Sequence, residues 1–245
     1  MILKFLGVGD AFGSGGRHNA CFLLDLADTR MIIECGATAM VSLRQHGVQP
    51  NSVEMIVISH GHGDHFGGLP FFLLDAQLVS RRTDPLAIVG PPGIEDRLWQ
   101  LMESMFPGSS KTKFRFPLHL VEMQIDGMIA LGEAISIETR EVSHPSGTAT
   151  LALRLVAEGK AIGYTADTEW VDALEYIARD ADILISECYH AETKGKFHLD
   201  YQTLRSKLPA LNPKRVILTH LSAGALEASA SFEYEVAHEG MEVSL

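Results

Sequence analysis

Six consecutive residues, HGHGDH at positions 60–65, constrain this chain more than any other part of it. Three imidazoles and a carboxylate stand directly after the apolar run MIVIS and just before the apolar run LPFFLLDAQLV. Burying that set without a cation would be costly. Neutral imidazole nitrogen and carboxylate oxygen are the donors zinc takes in catalytic sites. On a strand-to-helix turn, the alternate residues His60 and His62 can face one ion. Asp64 and His65, further round the turn, can face a second. Gly61 and Gly63 are read as letting the backbone bend tightly around the ions.

Three further candidates stand just beyond β-type runs: His144 after EVS, Asp167 after GYTA and His220 after ILT. Each alone is a weak signal, because a lone histidine at a strand end is more often a hydrogen-bonded structural residue. Ligands at the same end of several strands converge in space, however, and with HGHGDH these three complete one set. His60, His62 and His144 would hold one metal ion; Asp64, His65 and His220 would hold the other; Asp167 would bridge them. The expected cofactors are two divalent ions, zinc first, with manganese or iron as alternatives.

The rest of the chain bounds the fold. It has 245 residues, 46% of them hydrophobic, and no Gly/Ser/Pro-rich linker, which favours one domain over residues 1–245. Strands are expected at ILKFLGV, ACFLLDL, RMIIE, VEMIVIS, LAIVG, several places within 117–155, KAIGYTAD, ADILISE, KRVILTH and the tail GMEVSL. Helices are expected at TAMVSLRQHG, LPFFLLDAQLV, IEDRLWQLMESMF, Glu169 to Arg179, and YQTLRSKL. Strands followed by strand–helix units in both halves predict two packed mixed sheets with helices outside, an αββα sandwich.

Composition excludes some functions. The formal net charge of −11 argues against strong nucleic-acid binding. No apolar run approaches the ~18 residues of a membrane span, and MILKFLGVGD reads as a strand, not a signal peptide. Cys21, Cys35 and Cys188 are odd in number and lack C-x-x-C spacing, so buried thiols in a reducing cytoplasm are expected. Lys111, Lys113 and Arg115 in KTKFRF read as a solvated edge strand protected by charge, or else as a rim attracting an anionic substrate. His18 in the Gly-rich loop GDAFGSGGRHN is a candidate for lining the site; His46, His119, His190 and His238 have no assigned partner.

From GVGDAFG to LTH the sequence resembles the metallo-β-lactamase-fold hydrolases. The resemblance implies the αββα fold and the metal assignments above. ECGAT at 34–38 matches the family's strand-end Asp-Cys-Gly only in part, because Glu34 replaces Asp and leaves a structural hydrogen bond open to question. His62 argues against the flavin di-iron branch, which has Glu there. Asp167 argues against many zinc β-lactamases, which have Cys. The branch most similar is the ribonuclease Z-like phosphodiesterases, in which a Glu follows a later strand and a His lies shortly beyond. SECYH supplies Glu187 and KFHLDY supplies His198. The resemblance gives them the roles of orienter and proton donor; Asp64, a ligand, could also accept a hydrogen bond from the attacking hydroxide and aim it. Without it, His198 would read as a surface histidine and Glu187 as a capping or salt-bridge residue.

The tRNA-processing enzymes of that branch carry a long inserted arm between the third His motif and the bridging Asp. Here only 23 positions separate His144 from Asp167, and no large inserted domain of the β-CASP type is present. The expected activity is therefore hydrolysis of a small anionic phosphodiester. Two ions would lower the pKa of a water lying between them and offset charge on the phosphoryl oxygens. The alternatives are an acyl hydrolase of thioesterase or lactonase type with the same metals, or a non-catalytic member that binds an anionic ligand. A homo-oligomer is compatible with the sequence; no membrane partner is expected.

Overall fold

The segment Cys21–Asp25 shows why this chain must form layers. Successive side chains of a strand point to opposite faces. Phe22 and Leu24 enter one buried cluster, while Cys21 and Leu23 enter another. Ile183 and Ile185 likewise face one cluster and Leu184 a second. Strands buried on both faces need cover on both, and here one side is a second sheet and the other a layer of helices.

The computed structural model describes residues 1–192 and 195–245. In chain order the strands are β1 (Ile2–Gly7), β2 (Cys21–Asp25), β3 (Arg30–Ile33), β4 (Met55–Val57), β5 (Leu86–Gly90), β6 (Leu118–Glu122), β7 (Met128–Leu131), β8 (Ile135–Glu141), β9 (Leu151–Ala157), β10 (Lys160–Tyr164), β11 (Ile183–Glu187), β12 (Val216–Thr219), β13 (Glu235–Val236) and β14 (Glu242–Ser244). The helices are α1 (Ala39–Gln45), α2 (Gly63–Phe66), α3 (Leu69–Leu78), α4 (Ile94–Met105), α5 (Ala173–Ala178), α6 (Tyr201–Lys207) and α7 (Ala223–Ala228).

The first sheet has the order β14-β1-β2-β3-β4-β5-β6 and the second β13-β12-β11-β10-β9-β8-β7. Each is antiparallel on one side and parallel on the other: β3 to β6 run parallel in the first, β10 to β13 in the second. The facing sides enclose a core that includes Phe5, Phe22, Leu153 and Ile185. α1, α3 and α4 cover the outer face of the first sheet, and α5, α6 and α7 that of the second. This is the αββα sandwich that the strand and helix pattern predicts.

Local chemistry sets several boundaries. Glu95 and Asp96 occupy the first turn of α4, where carboxylates suit the helix dipole. The helix ends just before Phe106-Pro107, as a residue preceding proline requires. Asp200 caps α6 by accepting the Thr203 N–H at 2.9 Å.

Two expectations are corrected. The helix anticipated over Glu169–Arg179 is confined to Ala173–Ala178, because Ser143 Oγ donates to Glu169 at 2.6 Å and ties that residue to the exit of β8. KTKFRF is not an edge strand. Its alternation is real, with Phe116 buried and Lys111, Lys113 and Arg115 exposed, but its backbone pairs with a side chain: the Arg115 N–H donates to Gln77 Oε1 at 2.9 Å. It precedes β6, which runs parallel to β4, so it lies at the opposite end of the sheet from HGHGDH and cannot form a rim to that motif. α7 and β13, in the Ser- and Ala-rich region with little apolar periodicity, were not anticipated. Among the described residues no helix is long and apolar enough to cross a membrane.

Candidate metal centre

The parallel strands deliver the chemistry. HGHGDH leaves the carboxyl end of β4, Asp167 that of β10, Glu187 ends β11 and His220 follows β12. His144 comes from the exit of β8. These ends meet where the two sheets abut, as expected of open α/β sheets.

The seven residues fall into two touching groups. His60, His62 and His144 present nitrogens within 4.8 Å of one another, as do the donor atoms of Asp64, His65, Asp167 and His220. His144 Nε2 is 3.0 Å from His62 Nδ1. Asp167 Oδ2 lies 3.3 Å from both His65 Nε2 and His220 Nε2 and 3.8 Å from His144 Nε2, so Asp167 stands between the groups. Asp64 Oδ2 lies 3.2 Å from His65 and His220.

Surrounding groups fix the rings. Ser59 Oγ pairs with His60 Nδ1 at 2.9 Å, and His144 Nδ1 donates to the Phe197 carbonyl at 2.9 Å. Each contact turns the other ring nitrogen into the cleft, as metal-binding histidines require. Glu34, fully buried, accepts the Ser59 N–H at 3.2 Å and brings Oε1 to 3.4 Å from His65 Nδ1. The Glu that departs from the family's Asp therefore still reaches partners at the site. It does so from a left-handed backbone, φ 66°. Ala166 and His220, each beside or within the ligand set, share that strained conformation with φ 53° and 58°.

The glycines act differently from the sequence reading. Neither Gly61 nor Gly63 has positive φ. A Cβ on Gly61 would come within 2.6 Å of the Arg97 side chain, whose Nε donates to the Gly61 carbonyl at 2.8 Å, whereas Gly63 faces open space. Close packing, not bending, accounts for Gly61. A Cβ on Gly36 would strike the Asp64 carbonyl, so this glycine lets the strand-end loop lie against HGHGDH.

The donor set fits a metal centre. His60 Nε2, His65 Nε2 and Asp167 Oδ1 face the cleft, are buried and lack a well-formed hydrogen bond among the described residues. Leaving so many polar atoms unmatched is costly unless a cation engages them. Charge points the same way. Burial presses His60, His62 and His144 toward their neutral, ligating forms. Burial also opposes charge on His65, but Asp167, Asp64 and Glu34 outweigh it and raise its affinity for a proton. His220 behaves alike through Asp167 and Asp64. Burial works against ionising Asp64 and Asp167 too, yet neighbouring His65 and His220 hold both carboxyls well below the usual range. The two carboxylates thus draw positive charge into the cleft.

Beside the ligand groups, His198 Nδ1 lies 3.1 Å from both oxygens of Glu187. Glu187 is buried and also accepts the Thr168 N–H at 2.6 Å. The Tyr189 ring stacks on His198 with centroids 4.7 Å apart. Burial pushes the Glu187 carboxyl up, with Asp167 adding to it, and lowers His198. His18 pairs with Gln45 at 2.8 Å and does not belong to either ligand group; nor do His46, His119, His190 and His238. Tyr189 and Arg97 were not singled out from sequence. Tyr189, two residues after Glu187 in SECYH, had a local signal; Arg97, on a separate helix, had none.

A two-sheet sandwich with this histidine- and aspartate-lined cleft defines a metallo-β-lactamase-fold hydrolase of the ribonuclease Z-like branch, a metal-dependent class. A ribonuclease Z of Bacillus thuringiensis is 27% identical over 281 aligned positions, covering 91% of this chain and 89% of that protein. The human short-form tRNase Z superposes with a TM-score of 0.78 at 24% identity, over 100% of this chain and 99% of that one. A diphosphatase of the PhnP family does so with a TM-score of 0.78 at 18% identity, over 100% and 97%. Residues 1–238 match the family described as anti-Pycsar protein Apyc1, and the chain belongs to that family.

Proposed function

We propose that the chain hydrolyses a small phosphodiester at a centre of two divalent ions, zinc first. His60, His62 and His144 would hold one ion, Asp64, His65 and His220 the other, and Asp167 would serve both. When bound, such ions supply Lewis acidity toward phosphoryl oxygens and lower the pKa of water. Asp64 orients the attacking water by accepting a hydrogen bond from it. His198, with Nδ1 turned to Glu187, presents Nε2 for protonating the leaving oxygen.

The Glu187–His198 pair carries this reading. An imidazole fixed on a buried carboxylate, next to but outside both ligand groups, suits a reaction whose leaving group needs a proton. A small substrate is favoured by the short path from His144 to Asp167, where β9 and β10 form a simple hairpin. The alignment with the Bacillus ribonuclease Z runs over 281 positions, more than the 245 residues here, so that relative carries segments this chain lacks. Three free, buried cysteines support a reducing, cytoplasmic setting.

The test is a panel of phosphodiesters, thioesters, lactones and a tRNA precursor, run beside elemental analysis of protein purified without chelator. Close to two transition-metal ions per chain and turnover of small phosphodiesters are expected. Thioester or lactone turnover alone would replace this reading with the acyl-hydrolase one. Efficient trimming of the precursor would show that the arm is dispensable.

A further inference from the structure

Three cavities adjoin at the catalytic end. The middle one, about 230 Å³, is bounded by Asp64, Asp167, His198 and His220. A second, about 440 Å³, shares Ala11 and Asp64 with it and is walled by Phe71 of α3 and by Leu101 and Met105 of α4. A third, about 280 Å³, borders His198 from the other side and is lined by Trp170, Thr203 and Lys207. One neighbour of the reaction centre is therefore mainly apolar and the other mixed, with Lys207 and Thr203 beside Trp170, and they meet the centre at different catalytic side chains.

We infer that the cleft orients an unsymmetrical diester, with an apolar, ring-sized arm held against Phe71, Leu101 and Met105 and the leaving alcohol directed toward Trp170, Thr203 and Lys207. This rests on the phosphodiester reading above. The proton donor marks the direction. Water's oxygen bonds to phosphorus, the bond from phosphorus to the leaving oxygen breaks, and that oxygen takes its proton from His198. The water's proton restores His198. The leaving alcohol lies on the His198 side and the attacking water enters opposite it, so the arm retained on the phosphate leaves at a wide angle to that line, and the cavity open to it is the one that shares Ala11 and Asp64 with the centre. Ala37, Gly63 and Gly67, small residues, also line this cavity, whose volume of about 440 Å³ admits a ring. Apart from Asp64, where this cavity opens to the centre, the polar side chain lining it is that of Asn19, already engaged: its Nδ2 donates to the Asp10 carbonyl at 3.0 Å and its Oδ1 accepts from Thr38 at 3.3 Å. Selection at that end falls to apolar contact, within the size range of small-molecule pockets.

The experiment uses two diesters with the same 4-nitrophenolate leaving group and either a methyl or a phenyl retained arm. Wild-type protein should show a KM about tenfold lower for the phenyl diester, the scale of burying one ring partly. Met105→Asp should erase that difference by raising KM for the phenyl diester, with metal content retained. Leu101→Ala, a milder change, should narrow the difference and guards against misfolding of the first variant. Equal KM values in the wild type, or a preference that survives both substitutions, would overturn the assignment of the arm while leaving phosphodiester hydrolysis standing. Turnover of neither ester would overturn the phosphodiester reading itself, and this assignment with it.

Discussion

The two sheets furnish the cleft by different means. The first supplies four candidate ligands from one turn, His60 to His65, clamped mainly by neighbours of its own half, Ser59, Glu34 and Arg97, with Thr148 of the second half accepting the Gly61 N–H at 3.0 Å. The second supplies three from separate strand exits, His144, Asp167 and His220, and adds Glu187 and His198. One contribution is a compact motif whose shape is local. The other exists only because β8, β10, β11 and β12 end at the same edge of their sheet. The difference teaches that the first half can be damaged piecemeal, whereas in the second half each residue holds a role that no neighbour in sequence can assume.

Asp167 gives the strongest test of that contrast, since it touches both ligand groups. Asp167→Ala should reduce bound metal from two ions toward none and lower turnover by at least about 10³-fold. Retention of two ions by elemental analysis would show that the halves do not share this residue. His198→Ala comes next. Metal content should stay intact, while an ester with an alkoxide leaving group loses about 10²–10⁴-fold and one with nitrophenolate far less. Glu187→Gln should follow the same pattern more mildly. An equal loss on both esters would make His198 a substrate-positioning residue and not a proton donor.

In the first half, Glu34→Gln should weaken metal affinity by about 10–100-fold, because it withdraws a charged partner from His65. Competition with a chelating dye would read this directly. Affinity equal to wild type would mean that the local clamp does not depend on charge.

The smallest effect is a control remote from the cleft. Asp182 receives hydrogen bonds from Lys214 at 2.8 Å and from the Ala161 N–H at 2.9 Å, which hold its carboxyl below the usual range. A depressed folded-state pKa contributes stability above the unfolded value, near ~3.9, that is lost as pH falls through the folded one. Asp182→Asn should therefore lower the urea midpoint at pH 7, by no more than about 1 kcal/mol of stability, and the gap from wild type should close in strong acid. Turnover should not change. A gap that widens with acid would contradict the ion-pair account.

The same contrast explains what sequence could reveal. HGHGDH was legible because a turn is local and its ligands are contiguous. His144, Asp167 and His220 were legible as a set because each stands just beyond a run of strand length and composition, a signal that survives without tertiary information. Glu187 and His198 were not separable from ordinary surface residues by pattern alone; a family resemblance supplied their roles. The reach of Glu34 to His65 and the packing of Arg97 on Gly61 depend on side chains meeting across elements, which no local pattern encodes. KTKFRF misled because alternation reports which side chains are buried, not whether a second strand is there to pair with.

The His220 N–H donates to the Val8 carbonyl at 2.9 Å, and Gly9 bridges to Leu221. These links join positions 212 residues apart, at a histidine already held in a left-handed conformation. Contacts so distant along the chain form slowly. The cleft is thus completed from both ends of the chain: HGHGDH stands in its first third, but the turn that carries His220 takes its place only against Val8 and Gly9 of the opening segment, so nearly the whole sequence must be present before the seven residues can meet.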